Sequence, residues 1–223
     1  CSKYNIPTAK YETFSDKNHA NEYLENQKYP IVIKADGLAS GKGVIIANSK
    51  SEAFKAVDEI FSGKFGNAGQ IIVIEEYLEG TEASFFAISD GNKVIPFTTA
   101  EDYKRVFEKN EGPNTGGMGA FSPAKNINKD LENKIMDQII IPTFNALKKE
   151  GISYKGVLYA GLMIKDNHPK LIEYNVRFGD PECQVMLPRL KTDFVSILTA
   201  VNDGNLDKIQ IEWEDTYSLI IIM

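Results

Sequence analysis

A glycine-rich segment near the start of the chain combines the residue types that bind phosphate groups. It reads KADGLASGKG from Lys34 to Gly43, with a second lysine, Lys42, between its last two glycines. Glycine permits positive φ angles and lets backbone N–H groups approach an anion closely, and the lysines add positive charge. The spacing differs from a P-loop, which needs four residues between its first glycine and a Gly-Lys-Ser/Thr triplet. Alone, the segment indicates either a phosphate cradle or a glycine-rich hairpin turn.

A second set of polar residues alternates with apolar ones in LIEYNVR, residues 171–177. Because side chains alternate along a strand, Glu173, Asn175 and Arg177 are predicted on one face. Carboxylate and amide oxygens are ligands for Mg²⁺, and a guanidinium binds phosphoryl oxygens. The alternative is a solvated face with an internal Glu–Arg pair. The opposite face, predicted to belong to the core, would carry Ile172, Tyr174 and Val176.

Two further segments carry weaker signals. EEYLEGTE, residues 75–82, places acidic residues where a predicted strand ends, and its alternative interpretation is a solvated strand end. GPNTGGMG, residues 112–119, holds four glycines in eight residues. Ordering such a run costs backbone entropy, so a close approach of the backbone to a ligand would explain it, and a surface loop is the alternative.

Composition narrows the function classes. The 223 residues are 43% hydrophobic and 25% charged, which excludes global disorder, collagen and coiled coil. The net charge of −6 argues against binding to duplex DNA, which requires a basic surface. With two cysteines and no secretory signal or membrane span, a cytoplasmic setting is expected. The only histidines, His19 and His168, are predicted on the surface, which disfavours histidine-based catalysis.

Strand-like and helix-like segments alternate in a way that predicts an α+β fold with mostly antiparallel hairpins. Residues 101–123 are polar and glycine-rich and are predicted as a functional loop. The predicted strands are 31–34, 44–47, 71–75, 83–89, 93–97, 157–164 and 170–177. The predicted helices are 49–61, 129–150 with an interruption at Pro142, and 193–203.

Together and in this order, the four segments resemble the ATP-grasp enzymes, and within them the glycinamide ribonucleotide synthetase family. The resemblance is carried by IVIKADGLASGKGV, IEEYLEGTEASF, DYKR with EGPNTGGMGAFSP, and GVLYAGLMI with PKLIEYNVRFGDPECQVMLPRL. It implies a small lid subdomain with an N-terminal connecting segment, residues 1–79, and a larger antiparallel-sheet subdomain, residues 80–223. Family members carry further domains on both sides, so a central ATP-grasp fragment is expected.

The resemblance implies ATP and Mg²⁺ or Mn²⁺ as cofactors. Lys34 resembles the lysine on the α- and β-phosphates, Arg177 is expected to face the transferred phosphoryl group, and Glu82 resembles the ligand of the ribose hydroxyls. Glu173 and Asn175 resemble the metal ligands. The loop over the triphosphate corresponds to Gly37, Ser40, Gly41, Lys42 and Gly43. The adenine-binding hinge corresponds to Glu75, Glu76, Tyr77 and Leu78.

The resemblance also implies a set of substrate-binding residues, which lie between the hinge and the metal ligands in the sequence. Among them, Asp102 is expected to hold the glycine ammonium. The members of this set are Asp102, Lys104, Arg105, Asn114, Thr115, Gly116, Gly117 and Met118. The chain departs from the family pattern at Tyr103, where histidine is usual, and at Phe121, where tyrosine is common. Residues 107–111 replace a run rich in glycine and aspartate, and the strand at 158–162 offers no acidic metal ligand.

The implied reaction joins glycine to 5-phosphoribosylamine through a glycyl phosphate and releases ADP and phosphate. It needs no histidine base and no covalent residue. Both partners are small molecules, neither nucleic acid nor a membrane is expected, and a monomer is favoured. Two alternatives are another ATP-grasp carboxylate–amine ligase and a nucleotide-binding module without catalysis.

Overall fold

The computed structural model describes residues 1–37, 43–108 and 111–223, apart from the side chains of Pro113 and Asn114. The chain forms two compact units, Ala9–Leu78 and Glu79–Met223, and Cys1–Thr8 belongs to the second. Each unit combines helices with an antiparallel sheet, which confirms the predicted α+β class. The functional division into a lid and a body stays a prediction.

The unit Ala9–Leu78 is a four-stranded antiparallel sheet with two helices on one face. Its sheet order is β1-β4-β2-β3. Helix α2 begins where Ser49 Oγ accepts a hydrogen bond from the N–H of Glu52, as expected of an N-cap serine. The helical prediction at 49–61 and the three strand predictions in this unit are confirmed. The elements are β1 (Tyr11–Phe14), α1 (Lys17–Glu25), β2 (Ile31–Ala35), β3 (Val44–Ala47), α2 (Lys50–Glu59) and β4 (Ile72–Glu76).

Alternation along the two central strands of this unit decides which face is the core. Ile31 and Ile33 of β2 and Ile72 and Ile74 of β4 are almost fully buried against the helices. Because successive side chains point to opposite faces, the alternate residues Val32 and Lys34 of β2 and Val73 and Glu75 of β4 lie on the other side of the sheet.

The larger unit is built on a six-stranded antiparallel sheet of order β10-β7-β6-β5-β8-β9. The hairpin turns predicted at Asp90-Gly91-Asn92 and at 166–169 are confirmed, and both histidines are exposed, as predicted. No helix among the described residues is long and apolar enough to span a membrane. The strands are β5 (Thr81–Asp90), β6 (Val94–Phe107), β7 (Glu111–Ser122), β8 (Lys155–Lys165), β9 (His168–Asn175) and β10 (Ser218–Ile221). The helices are α3 (Lys129–Ile135), α4 (Ile141–Lys149), α5 (Glu182–Met186) and α6 (Phe194–Asp203).

Helices cover both faces of this sheet, so its central strand is buried on both sides. Phe85 of β5 packs in the core formed with α3 and α4, and the adjacent Phe86 packs in the core formed with α5 and α6. Both rings are at most 1% exposed. We call the α3–α4 side the outer face and the α5–α6 side the inner face.

The prediction of a loop at 101–123 is wrong, because these residues form most of β6 and β7. In β7, glycines hide the alternation that would have marked a strand. Gly119 is required by packing, since a Cβ there would lie 2.5 Å from the carbonyl oxygen of Ile220 on the neighbouring β10. The paired strands are interrupted by register shifts between Tyr103 and Arg105 and between Arg105 and Phe107.

The helical segment predicted at 129–150 forms α3 and α4, joined without a loop by a π-helical turn, Met136–Ile140. Pro142 stands in the first turn of α4, where its missing N–H is tolerated. The prediction of an interruption at this proline is therefore wrong in its position: the irregular turn is Met136–Ile140, before Pro142, and α4 continues through the proline. A second π turn, Ile60–Lys64, follows α2.

Candidate functional site

In the smaller unit, the structure joins two of the predicted nucleotide-binding residues in an ion pair. Lys34 Nζ lies 2.7 Å from Glu75 Oε2, and each side chain is about one-fifth exposed (19% and 20%). Lys34 pairs with Val73 and Glu75 with Val32, so the two charged residues are diagonal neighbours on the face away from the helices. The ammonium is thus held at a defined position on an open sheet face.

The predicted hinge continues from β4 towards the end of the unit. Glu76 N donates to the carbonyl of Lys10, and Lys10 N donates to Glu76 Oε1, which ties the end of β4 to the segment before β1. Tyr77 is 39% exposed, and Leu78 is half-buried. The backbone of this segment is therefore anchored on one side while its aromatic ring remains accessible.

The glycine-rich segment is described only at its two ends. Gly37 N donates to the carbonyl of Ala68, and a Cβ at Gly37 would lie 2.5 Å from Ala68 Cα, so packing alone requires glycine there. The carbonyl of Gly43 accepts from Ala35 N at 2.9 Å. The predicted contacts at Ser40, Gly41 and Lys42 lie outside the described residues.

In the larger unit, the sheet brings together predicted residues that are far apart in the sequence. Ser84 pairs with Ala100 on one side and with Gly161 on the other, and Gly161 pairs with Glu173. This register puts β5, β6, β8 and β9 side by side with their polar residues on the inner face. A small cavity there is lined by Glu82, Ser84, Asp102, Lys104, Tyr159 and Glu173, among others.

Lys104 is the ammonium group at the centre of this carboxylate-rich cavity. Its Nζ lies 3.3 Å from Asp102 Oδ2 and 4.0 Å from Glu82 Oε2. Burial acts to lower the pKa of Lys104, but the carboxylates of Asp102, Glu82 and Glu173 outweigh it and raise that pKa. Lys104 therefore stays charged at neutral pH.

Asp102 is the buried carboxylate of the cluster, with a side chain only 6% exposed. Burial raises its pKa, Lys104 partly offsets that effect, and the nearby carboxylates of Glu182 and Glu82 add to the rise. A buried carboxylate that shares one ammonium with a second carboxylate is poised to accept another cationic group.

The sequence reasoning missed a buried network behind this cavity. Glu182 of α5 is 2% exposed, and its Oε1 lies 3.1 Å from Ser84 Oγ, which is also 2.9 Å from Tyr159 OH. Burial and the charges of Glu182 and Asp102 raise the pKa of Tyr159, so its hydroxyl stays protonated. The sequence did carry one signal for this network, the run GDPE at residues 179–182. Its glycine is required because a Cβ at Gly179 would lie 2.2 Å from Glu182 Oε2.

The two predicted metal ligands lie next to each other at the end of β9. Asn175 Nδ2 is 3.3 Å from Glu173 Oε1. No group of three or more His, Cys, Asp or Glu side chains among the described residues could hold a metal ion. Two neighbouring side chains that offer a carboxylate and an amide oxygen nevertheless fit Mg²⁺, which keeps several water ligands when it is bound.

The predicted alternation along this strand is wrong outside Glu173, Tyr174 and Asn175. Gly161 pairs with Glu173 but Leu162 pairs with Leu171, so Ile172 forms a bulge and lines the cavity beside Glu173 instead of facing the core. Val176, predicted in the core, is 74% exposed.

Arg177 lies beyond the end of β9, so strand alternation does not place it with Glu173 and Asn175. It is exposed, and its Nη1 donates to the carbonyl of Phe178 at 2.7 Å.

The remaining predicted substrate residues stabilise the β6–β7 hairpin. Arg105 Nη1 donates to the carbonyl of Gly112 at 2.7 Å, and Thr115 Oγ1 donates to the carbonyl of Lys104 at 2.8 Å. Met118 is 38% exposed. The side chain of Asn114 lies outside the description.

The two central glycines of this hairpin differ in their surroundings. Gly117 has φ +125°, and a Cβ there would lie 2.6 Å from Pro181 Cδ. Gly116 is exposed, and a Cβ there would meet nothing within 4 Å. Of these two positions, packing therefore requires a glycine at 117 and not at 116.

Tyr103 lies on the opposite side of β6 from Asp102 and Lys104. Its ring is 51% exposed and stands 6.1 Å from that of Phe121. The two departures from the family pattern therefore contact each other on the outer face, away from the cavity.

Comparison with known proteins identifies the family. Residues 1–183 match the model of the phosphoribosylglycinamide synthetase ATP-grasp (A) domain. The chain is 53% identical over its full length to the chloroplastic phosphoribosylamine–glycine ligase of Arabidopsis thaliana, covering 42% of that protein. It is 50% identical to the phosphoribosylamine–glycine ligase of Escherichia coli O157:H7, covering 52% of it. The chain thus spans about half the length of these curated relatives.

Solved structures agree with the family match. The crystal structure of phosphoribosylamine–glycine ligase from Thermotoga maritima aligns with 99% of this chain and 56% of its own, with a TM-score of 0.90 and 35% identity. A biotin carboxylase from Campylobacter jejuni aligns with 98% of this chain and 47% of its own, with a TM-score of 0.72 at 16% identity, and shares the fold. The predicted ATP-grasp fold is confirmed, and the chain belongs to the phosphoribosylglycinamide synthetase family, in which it matches the ATP-grasp domain.

Proposed function

We propose that this chain is the ATP-grasp part of an enzyme that ligates glycine to 5-phosphoribosylamine with consumption of ATP. The similarity to phosphoribosylamine–glycine ligases supports this reaction. The observation that carries the proposal is the inner-face cavity, where Asp102, Lys104 and Glu173 meet. Carboxylates beside one ammonium suit a substrate that is itself an ammonium carboxylate.

Most of the proposed contacts with ATP are made by residues of the smaller unit. Lys34 would transfer from Glu75 to the α- and β-phosphates of ATP, since phosphates offer more negative charge than one carboxylate. The segment from Gly37 to Gly43 would cover the triphosphate, and the backbone of Glu75 to Leu78 would hold the adenine. Glu82 is more than half exposed and would accept hydrogen bonds from the ribose hydroxyls.

Glu173 and Asn175 would hold Mg²⁺ or Mn²⁺. When bound, the metal supplies positive charge that neutralises the phosphoryl oxygens during transfer. Lys34 and Arg177 would add cationic groups from the protein, and their task is to align the phosphates and stabilise charge. Arg177 would have to leave its contact with the Phe178 carbonyl to do so.

On the substrate side, Asp102 would bind the ammonium of glycine and thereby direct the glycine carboxylate towards the γ-phosphorus. The carboxylate oxygen attacks, ADP leaves, and a glycyl phosphate forms. The amine of phosphoribosylamine then displaces phosphate to give the amide. Lys104 would hold the negative end of glycine, and the protonated hydroxyl of Tyr159 adds no further negative charge beside the carboxylates of Glu182 and Asp102.

We also propose a cytoplasmic monomer. Both cysteines are free thiols, which agrees with a reducing compartment.

The test is ADP release from Mg-ATP with glycine or phosphoribosylamine omitted in turn. Release that requires both substrates is expected. Release with glycine alone would show that glycyl phosphate forms without phosphoribosylamine and is hydrolysed by water, which would contradict phosphoribosylamine as the required acceptor, and release independent of glycine would overturn the proposal.

The metal assignment is tested with Glu173→Gln, which keeps the shape of the side chain and removes its charge. We expect turnover to fall by roughly 100-fold or more, with little change in thermal stability. Glu132→Gln is the matched control, because Glu132 lies on α3 and pairs with Lys129. A wild-type rate in Glu173→Gln would refute the assignment of Glu173 to the metal.

A further inference from the structure

The metal-binding pair proposed above stands on a weakly supported piece of backbone. β9 is an edge strand of the six-stranded sheet, and among the described residues its stretch from Glu173 to Asn175 pairs with β8 alone. The bulge at Ile172 interrupts that pairing immediately before Glu173. On its open side the strand is fixed at Leu171, whose N–H donates to the carbonyl of Pro7 and whose carbonyl accepts from Thr8 Oγ1.

Tyr174 is the residue between the two proposed ligands, and it points to the outer face. Its ring packs against the core formed with α3 and α4. Its hydroxyl forms a hydrogen bond with Thr143 Oγ1 of α4. Burial raises the pKa of Tyr174, so the hydroxyl keeps its proton.

The direction of this hydrogen bond follows from the number of protons. Thr143 is 6% exposed, and its Oγ1 donates to the carbonyl of Ile139 at 2.6 Å. A threonine hydroxyl has a single proton, so the remaining interaction of Thr143 Oγ1 must be as an acceptor. Tyr174 is therefore the donor, and the chain of hydrogen bonds runs from β9 through Thr143 into the π turn Met136–Ile140.

We infer that the Tyr174–Thr143 hydrogen bond positions Glu173 and Asn175 and so sets the affinity of their site for a divalent metal. This inference rests on the proposed function, because it takes Glu173 and Asn175 as the ligands. Tyr174 and Thr143 touch no substrate and are positioning residues. They take the place of a second neighbouring strand beside this part of β9. They thereby fix the rotation of β9 about its own axis, and that rotation sets the direction of the ligand oxygens of Glu173 and Asn175.

The experiment measures Mn²⁺ affinity from the electron paramagnetic resonance signal of the free ion, with the chain saturated by a non-hydrolysable ATP analogue. Tyr174→Phe removes one hydroxyl and keeps the ring. We expect its dissociation constant for Mn²⁺ to rise about ten-fold, the lower end of what the loss of a direct outer-shell partner costs, because the hydroxyl acts on Glu173 and Asn175 through the strand backbone. Thr143→Val should have the same effect, the double variant should add little to either, and Thr143→Ser, which keeps a hydroxyl, should stay close to wild type.

Tyr154→Phe is the matched control. Tyr154 packs against the same core, and its hydroxyl donates to the carbonyl of Val157 at 2.6 Å, on β8 rather than β9. Both tyrosine variants should lose about 2–4 °C in melting temperature, the usual effect of one hydrogen bond in a chain of this size. Only Tyr174→Phe should lose Mn²⁺ affinity.

Two outcomes would overturn the inference, and they are distinguishable. If Glu173→Gln weakens Mn²⁺ binding but Tyr174→Phe melts earlier with unchanged Mn²⁺ affinity, the hydrogen bond serves stability alone and the metal site stands. If Glu173→Gln also leaves Mn²⁺ affinity unchanged, the ligand assignment fails and the inference fails with it.

Discussion

Gly116 and Gly117 are adjacent in the sequence, and the structure predicts opposite results for replacing them with alanine. Gly117 has φ +125°, which costs an alanine roughly 1–3 kcal/mol in backbone strain. The added Cβ would also lie 2.6 Å from Pro181 Cδ, well inside an ordinary contact of 3.4–4 Å. Together these effects should lower the free energy of unfolding by about 2–4 kcal/mol for Gly117→Ala.

Gly116→Ala meets neither obstacle. No atom lies within 4 Å of the added Cβ, and φ lies outside the region that disfavours alanine. The variant should be neutral or more stable by about 0.4–1 kcal/mol, because alanine restricts the unfolded chain. Any requirement for glycine at position 116 must then come from a ligand.

Thermal unfolding followed by circular dichroism measures both effects. For a chain of this size the Gly117→Ala variant should melt roughly 5–15 °C below wild type, while Gly116→Ala should melt at or slightly above it. Equal melting temperatures for the two variants would refute the reasoning. If Gly116→Ala keeps its stability but raises KM for glycine, the hairpin approaches the substrate at this residue.

Three further predictions concern charge and packing. In Glu182→Gln the pKa of Asp102, followed by carbon-13 NMR, should fall, because one carboxylate that raises it is removed; an unchanged value would contradict the electrostatic coupling. A raised pKa means that stability from Asp102 is present at low pH and is lost as pH rises from about 4 through the folded-state pKa, so this loss should be smaller in the variant. Tyr103→His should change stability by less than about 1 kcal/mol and leave KM for glycine unchanged, since the ring lies on the outer face; a raised KM would place it at the site. Arg189→Lys should destabilise the fold by about 2–3 kcal/mol in chemical denaturation, because Arg189 is 7% exposed and its Nη1 donates to Ser122 Oγ at 2.9 Å; a wild-type midpoint would show that lysine replaces it.

Patterns confined to one element were predictable from the sequence. Helix α2 was visible from the spacing of Ala53 and Val57, both of which are buried. The turn at Asp166 and Asn167 was visible from its residue types, and both residues adopt the left-handed conformation that such a hairpin turn requires. The shared face of Glu173 and Asn175 followed from strand alternation.

Features that depend on contacts between distant segments were not predictable. The second half of β6 and all of β7 were missed, because glycines of β7 fit against neighbouring backbone, as Gly119 does against Ile220, and that fit has no local signature. Glu182 was missed because its partner Ser84 lies almost 100 residues away in the sequence. The bulge at Ile172 shifted the alternation by one residue, and spacing in the sequence alone does not reveal a bulge.

The π turn between α3 and α4 fixes the angular phase of the helix that follows it. Each residue of an α-helix advances the side-chain direction by about 100°, so a turn that holds an extra residue resets every later position by that angle. If one residue were deleted within Met136–Ile140, α3 and α4 would merge into a regular helix and Thr143 would rotate by about 100°. Its hydroxyl would then no longer face Tyr174. The irregularity of the helix is therefore what brings Thr143 into line with the strand that carries Glu173 and Asn175.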